Sequence, residues 1–497
     1  MSTAELRARL AEIDEEISVH LDILNSLQED RNLVAAQLDA ITSYPILTLP
    51  VEIVAEIFIH CLPTENPKVM RLQAPFSLLK ICSRWREIAL TTPKLWEALD
   101  INVVSLRSAL SSRPSSSRWV GVVEHCLRRA QGRPLSLTLR HPHEEYEAVT
   151  KYQPDLAFLR AIGRQLEDLE VFGLEQEDQA HSAPDAPLDF RPGSFPILER
   201  LVFGPAEPDT DLYNVWLEFF QDSPELRELT VLGATEIKQG IPWHQLTTLT
   251  ARNFELDQCL DVLRMATDLK YCTMSIQFYE PATALQHVTH RELQSLRLLP
   301  DWEGNGWGDI VDNITLPSLK TLDISNLNEL RPNQLEEFLS RSSAEIESFK
   351  FGFDHVYGFP GWENSFRLIP DTQDLHLICR DLDFLTDFME AFSERDNRLF
   401  PEARNMFLYI PGTRGNEVES ALRARRKGGD DKLKSATMEW APEDAEGVRS
   451  GIRTFPESSA DGPKIVEQSG SGQQSQDSQV EVELGQRKDT TKTPAES

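Results

Sequence analysis

One short unit, L-x-x-L-x-L with other apolar residues allowed, returns along most of this chain and limits what the chain can fold into. The clearest copies are QLEDLEV (165–171), ILERLVF (197–203), ELRELTV (225–231), QLTTLTA (245–251), DLKYCTM (268–274), ELQSLRL (292–298), SLKTLDI (318–324) and EIESFKF (345–351). Weaker copies are DTQDLHL (371–377), EARNMFL (402–408) and KLKSATM (432–438). Successive clear copies lie 20–32 residues apart. Alternating apolar residues suit a strand with one buried side. Helical spacing appears between several copies, in LYNVWLEFF, LDQCLDVLRMA, NQLEEFLSRS, LDFLTDFMEAF and EVESALRARRK. A single strand and helix cannot bury their apolar sides alone, so neighbouring units must stack into a solenoid. An α/β domain with ordinary βαβ alternation would give a similar pattern and stays open as the alternative.

The repeat resembles the leucine-rich repeat. The resemblance implies an α/β solenoid with parallel strands. The family's asparagine or cysteine two residues after the strand is missing, because Leu174, Ala206, Ala234, Phe254, Gln277, Asp301, Leu327 and Asp354 stand there. The units are therefore irregular. With the leucines pointing inward, the residue between the last two apolar positions faces the inner, concave surface. That row reads Glu170, Val202, Thr230, Thr250, Thr273, Arg297, Asp323, Lys350, His376 and Phe407. Mixed charge on a rigid surface suits recognition of a protein. Arg297, Asp323, Lys350 and His376 are the candidate target-binding residues.

The N-terminal segment has a different period. Leu6, Leu10, Ile13, Ile17, His20, Leu24, Leu27, Arg31, Val34, Leu38 and Ile41 step by three or four, with no proline or glycine between them. This predicts a coiled-coil-like helix of about 54 Å. A homodimer through residues 5–42 is one expectation, and a helix that packs on its own chain is the other.

Pro45 then breaks the helix, and LPVEIVAEIFIHCL (49–62) follows. Ile53/Ile57 and Val54/Phe58 are i,i+4 pairs on one wide apolar side. A second helix is expected over SLLKICSRWREIAL (77–90) and a third in PKLWEAL. Three short helices cannot bury this many large side chains, and an exposed remainder marks a partner site. The ordered matches Leu49, Pro50, Glu52, Ile53, Ile57, Phe58, Leu78, Ile81, Cys82, Trp85, Ala89, Pro93, Leu95 and Trp96 make the segment resemble the F-box. The connection over 64–75 is longer than the family's pattern. The resemblance implies an all-α docking module for the Skp-type adaptor of a cullin ubiquitin ligase. It implies adaptor contacts from Leu49, Pro50, Ile53, Ile57, Phe58, Leu78, Ile81, Cys82, Trp85, Leu95 and Trp96. An unidentified target protein would be held by the repeats.

Fifty basic and 80 acidic residues give a net charge of −30, which disfavours nucleic acid and anionic lipid as partners. No run of apolar residues is long enough to span a membrane, and the start lacks a secretory h-region, so an intracellular site is expected, cytoplasmic or nuclear. Six scattered cysteines without metal spacing read as reduced core thiols. His141-Pro142-His143 has no third ligand nearby and reads as loop. RARRK (423–427) reads as the last turn of a helix rather than an import signal. No nucleotide-binding, hydrolase or metalloprotease motif occurs, so neither enzymatic activity nor a cofactor is expected.

The expected order is a coiled-coil-like helix (1–43), an F-box (46–100), the solenoid (101–440), and a linker with a disordered tail (441–497). The fold class is thus α+β with repeats. The expected function is a non-catalytic substrate receptor of a ubiquitin ligase. The alternative is a dimerising adaptor or scaffold with no ubiquitin role.

Overall fold

The computed structural model describes residues 3–41, 49–62, 74–102, 124–140, 159–172, 193–204, 220–232, 240–276, 285–299, 307–324, 330–353, 359–379, 381–394, 398–411, 415–426, 432–441, 451–455 and 464–466. The chain forms two compact units, Met1–Leu137 and Thr138–Ser497.

In the first unit, α1 (Thr3–Ile41) is one unbroken helix. Its side chains from residue 6 to residue 37 are exposed throughout, the apolar stripe included. Among the described residues, nothing of its own chain covers that stripe. Helix α2 (Val51–His60) begins behind Pro50, which stands at the N-cap. The second helix does not run through 77–90. It stops after α3 (Leu78–Ile81), Cys82 takes an extended backbone, and α4 (Ser83–Thr91) starts again. The reason is a cap: the Cys82 Sγ accepts the Trp85 amide at 3.4 Å. The third expected helix is a single 3-10 turn, Pro93–Trp96, because strand β1 (Ala98–Asn102) starts two residues later.

These short elements share a core of Val54, Phe58, Leu78, Ile88, Ala89, Leu95, Trp96 and Leu99. The Phe58 and Trp85 rings lie 4.8 Å apart. Trp96 is fully buried, and its indole N–H donates to the Ala89 carbonyl at 2.8 Å, so its polar atom is satisfied. The Arg129 guanidinium covers the Trp96 ring at 5.8 Å and donates to the Leu90 carbonyl at 3.1 Å. Strand β2 (Leu135–Arg140) begins at the end of this unit.

In the second unit, a large parallel sheet is built in chain order. Its strands are β3 (Leu166–Phe172), β4 (Arg200–Gly204), β5 (Glu228–Leu232), β6 (Thr248–Phe254) and β7 (Tyr271–Ile276). A two-residue strand, β8 (Val288–Thr289), pairs aside with β10 (Ile314–Thr315). The main sheet continues through β9 (Ser295–Leu299), β11 (Thr321–Ile324), β12 (Ser348–Phe353), β13 (Asp374–Cys379), β14 (Asn405–Pro411) and β15 (Ser435–Ala441). All eleven copies of the sequence unit, weak ones included, coincide with strands of this sheet.

A backbone device recurs just before the strands of the main sheet from β5 to β15. The Arg227 carbonyl accepts the amides of Thr247 and Thr248, the Thr247 carbonyl those of Lys270 and Tyr271, and the Lys270 carbonyl those of Gln294 and Ser295. The same double acceptance continues through Gln294, Lys320, Glu347, Gln373 and Arg404, at 2.7–3.1 Å. One carbonyl thus hooks the entry of each of these strands to the strand before it.

The inward residues form continuous rows. One runs Leu169, Leu201, Leu229, Leu249, Cys272, Leu296, Leu322, Phe349, Leu375, Met406 and Ala436, all buried. The row before it starts Leu166, Leu198, Leu226, Leu246, Leu269, Leu293, Leu319 and Ile346, then places Thr372 where a leucine is expected. Thr372 is tolerated because its hydroxyl donates back to the chain, 3.0 Å from the Ile369 carbonyl and 3.2 Å from that of Ile346. Toward the C-terminal side the filling turns aromatic, with Phe349, Phe351, Trp362, Phe366, Phe384, Phe388 and Phe400 in mutual ring contact.

Helices Leu256–Met265, Pro332–Ser342, Leu382–Ser393 and Gly415–Arg426 fall where helical spacing predicts them. Two more, Trp307–Asn313 and Phe359–Arg367, were not expected, although Trp307, Ile310 and Val311 in the first and Phe359, Trp362 and Phe366 in the second fall at helical spacing. The segment LYNVWLEFF lies outside the described residues except for its last position, Phe220, which is buried.

The C-terminal side brings one correction and one addition. The stretch expected to be linker and disordered tail carries β16 (Gly451–Phe455), which pairs antiparallel with β15, and β17 (Lys464–Val466), which pairs antiparallel with β16. Residues 467–497 lie outside the described residues. RARRK does end a helix, Gly415–Arg426, as expected, but its Arg425 does not stay at the surface. It is fully buried, donates to the carbonyls of Phe392, Leu399 and Phe400 at 2.7–3.1 Å, and lies 3.7 Å over the Phe392 ring. It ties the end of helix Leu382–Ser393 to the turn at Leu399 and Phe400 ahead of β14.

Candidate functional site

Two surfaces carry the residues singled out in the sequence, one on each unit. On the first unit the apolar motif divides into two sets. Phe58, Leu78, Leu95 and Trp96 belong to the unit's own core, so the expectation that they contact an adaptor is corrected: they hold the helices together. Within α2 the i,i+4 pairs separate, with Val54 and Phe58 facing inward and Ile53 and Ile57 facing out. Ile53 is 50% exposed, Val51 46% and Ile81 57%. Leu49, Ile57, Cys82 and Trp85 are half-buried, and Pro50 is exposed. Val51 was missed because proline and glutamate flank it; its place in the first turn was the available signal.

On the second unit the expected row is a straight one. Glu170, Val202, Thr230, Thr250, Thr273, Arg297, Asp323, Lys350, His376 and Phe407 are each register partners of the next. The four candidate residues sit on β9, β11, β12 and β13. Adjacent strands lie about 4.8 Å apart, so Arg297 and Lys350 are roughly 10 Å apart across Asp323. The Asp323 carboxylate joins them: Oδ2 is 3.2 Å from Arg297 Nε and 3.6 Å from Lys350 Nζ. The Arg297 contact is an ion pair off the line of a hydrogen bond. Asp323 is the most enclosed of the three, with a side chain 13% exposed against 41% for Arg297 and 31% for Lys350.

His376 reaches solvent and stacks on Phe407, ring centres 5.4 Å apart. Desolvation by the surrounding protein lowers its pKa below the ordinary histidine value, and the Lys350 cation lowers it further. The ring is therefore mostly neutral at pH 7.

Residues two places to either side of the row share its exposed side, and the sequence reading passed over them although the period-two rule finds them. On one side, Asn405 Nδ2 donates to Asp374 Oδ1 at 2.7 Å, and Ser435 Oγ donates to Asn405 Oδ1 at 2.8 Å. Arg200 pairs with Asp168 at 3.4 Å and with Glu170 at 3.3 Å. On the other side, Arg252 stands at a break in the β6–β7 register, where Asn253 takes a positive φ of 59° and Ser275 Oγ accepts its amide. The Arg252 Nε is buried and finds no hydrogen-bond partner among the described residues. Burial and then the Arg297 cation lower its pKa.

Four cysteines are buried core thiols, with Cys126 pushed up to about 11, Cys379 to about 12, and Cys259 and Cys272 raised by desolvation. Cys61 departs from that reading and is exposed. Among the described residues no cluster of His, Cys, Asp and Glu could hold a metal ion, and no helix is long and apolar enough to cross a membrane. His141 and His143 lie outside the described residues. No family model matches the chain, and no curated protein matches it.

Proposed function

We propose that this protein is a non-catalytic substrate receptor of a cullin ubiquitin ligase, docking a Skp-type adaptor through an F-box formed by the helices around residues 49–96. The observation that carries the reading is the division of the motif: Val51, Ile53 and Ile81 remain open to solvent after Val54, Phe58 and Trp96 have filled the core. A small helical unit that leaves such side chains outside is suited to a partner of complementary apolar surface. On this reading the second unit is an irregular leucine-rich-repeat solenoid. Arg297, Asp323, Lys350 and His376 offer its target a charged, preformed patch that contributes specificity more than bulk affinity. The receptor's part is to raise the effective concentration of target at the ligase, and partner enzymes perform the bond-forming chemistry.

The test is co-purification of the full chain with a Skp-type adaptor. Ile53→Asp combined with Ile81→Asp should abolish it, because interface anchors are worth about 2 kcal/mol or more each. Both positions are exposed, so the thermal unfolding of the variant should match wild type. Undiminished adaptor binding by the folded double variant overturns the proposal. A wild-type chain that dimerises and ignores the adaptor supports the scaffold alternative.

A further inference from the structure

We propose that α1 pairs with the α1 of a second copy of this chain as a parallel, in-register, two-stranded coiled coil in which Arg31 of each helix meets Asp30 of the other. The helix is continuous over 39 residues, and its stripe is exposed in the single chain. The question is what covers it, and the two polar positions of the stripe answer it.

Leu10, Ile17, Leu24, Arg31 and Leu38 occupy one seam position of the heptad, and Leu6, Ile13, His20, Leu27, Val34 and Ile41 the other. In a parallel pair, a residue in the first position enters a hole lined by its own counterpart, the two neighbouring seam residues and the residue just before the counterpart. For Arg31 these are the partner's Arg31, Leu27, Val34 and Asp30. The two arginines repel, and the two aspartates answer them, each cation reaching a carboxylate across the seam. In the single chain neither Arg31 nor Asp30 makes an ion pair among the described residues. Arg9, bonded at 2.5 Å to Glu12 of its own helix, occupies the same flanking position as Asp30 and reaches the partner's Asp14.

The arrangement selects against the alternatives. An antiparallel pair in full overlap of Thr3–Ile41 sets Arg31 opposite Ile13 and beside Asp14, but it brings Asp30 of each helix against Glu16 of the other, carboxylates that repel, and leaves Arg9 facing Gln37. A third strand would enclose three Arg31 side chains in one layer, whereas a basic residue at this seam position favours two strands. Arg31 and Asp30 are adjacent in sequence, so an identical helix supplies both halves of the complementarity at once, as a two-fold interface requires. Leu21 and Ile23 flank the seam and widen its apolar contact, while Val19 and Leu33 lie off it.

The test uses the full chain at micromolar concentration, with mass measured by light scattering. Wild type should be a dimer. Asp30→Arg alone places four cations at one layer, and Arg31→Asp alone places four carboxylates there. Each should weaken dimerisation about tenfold or more. Mixing these two variants, one carrying a mass tag, should restore dimers of near wild-type affinity, almost all of them mixed. Thermal unfolding of both variants should match that of monomeric wild type, since α1 contributes no side chain to the described core. A monomeric or trimeric wild type overturns the proposal. So do single variants that dimerise undiminished, and so does a mixture no stronger than its components, which would place the helices in another register or direction.

Discussion

Helix Pro332–Ser342 and helix α1 both carry an apolar stripe, and only one of the stripes is covered. In the former, Leu335, Phe338 and Leu339 are buried among the strands and helices of the second unit. In the latter, Leu10, Leu24, Leu27 and Val34 stand in water. Burying such a side chain is worth about 1.5–3 kcal/mol, so the open stripe represents stabilisation not yet realised within the single chain. A helix of 11 residues held between two hooked strands finds its cover in the neighbouring repeat. A helix of 39 residues beside a handful of short ones has more stripe than they can meet. Periodicity thus reports that a side must be covered, and the surroundings decide by what.

The sharpest way to break this contrast is to place one charge in each kind of apolar row. Leu322 is fully buried, and Leu322→Asp should lower unfolding stability by about 3–5 kcal/mol and open the repeats around β11. Leu24→Asp, measured where the chain is monomeric, should change it by no more than about 0.5 kcal/mol. Urea unfolding followed by hydrogen exchange separates the two. Equal losses would mean that α1 is covered by its own chain after all.

A smaller effect is expected where a polar group sits in a covered row. Thr372→Val keeps the shape and removes a satisfied hydroxyl, which should cost about 0.5–1.5 kcal/mol in the same experiment. A stabilised variant would show that the hydroxyl is tolerated rather than used.

The smallest signal lies on the open side of the sheet. The folded pKa of His376 is lowered by desolvation and by Lys350. Its nuclear magnetic resonance titration midpoint should therefore lie below that of an unfolded control and rise in Lys350→Ala. The sign for stability follows from the same shift. Above the unfolded value His376 has no effect. As pH falls through that value toward the folded one, the unfolded chain takes up the proton first, and stability declines. A midpoint that does not move in Lys350→Ala would show that the cation does not act on the ring.

The sheet was legible because its signal is redundant. Eleven copies of one pattern vote on a single register, and even EARNMFL and KLKSATM, weak by themselves, are carried by their neighbours. The helical unit was legible only in part. In α2 apolar residues lie on both the inner and the outer side, and period alone does not tell Phe58 from Ile53; a rotation of one residue around the helix separates core from surface. The break at Cys82 was hidden because a thiol in the cap position is an uncommon acceptor, and no proline or glycine marks it. RARRK ends a helix as its sequence suggests, but the burial of Arg425 was not legible, because a basic run at a helix end normally faces water, whereas here carbonyls from Phe392, Leu399 and Phe400 converge on it. β16 and β17 follow a strand of the sheet, but their local composition is that of a polar linker, and lateral pairing with β15 supplies what composition lacks.

The shared carbonyl ahead of each main-sheet strand from β5 to β15 has a bearing on how such a chain can change over time. Each hook fastens the start of one strand to its predecessor and asks nothing of the connection in between, which varies from one repeat to the next. Lengthening or trimming a connection therefore leaves the comb of strand starts where it was. The residues along the partly exposed row, from Glu170 to Phe407 apart from the buried Val202, can then be exchanged one tooth at a time, and a new binding preference can arise without the frame being rebuilt.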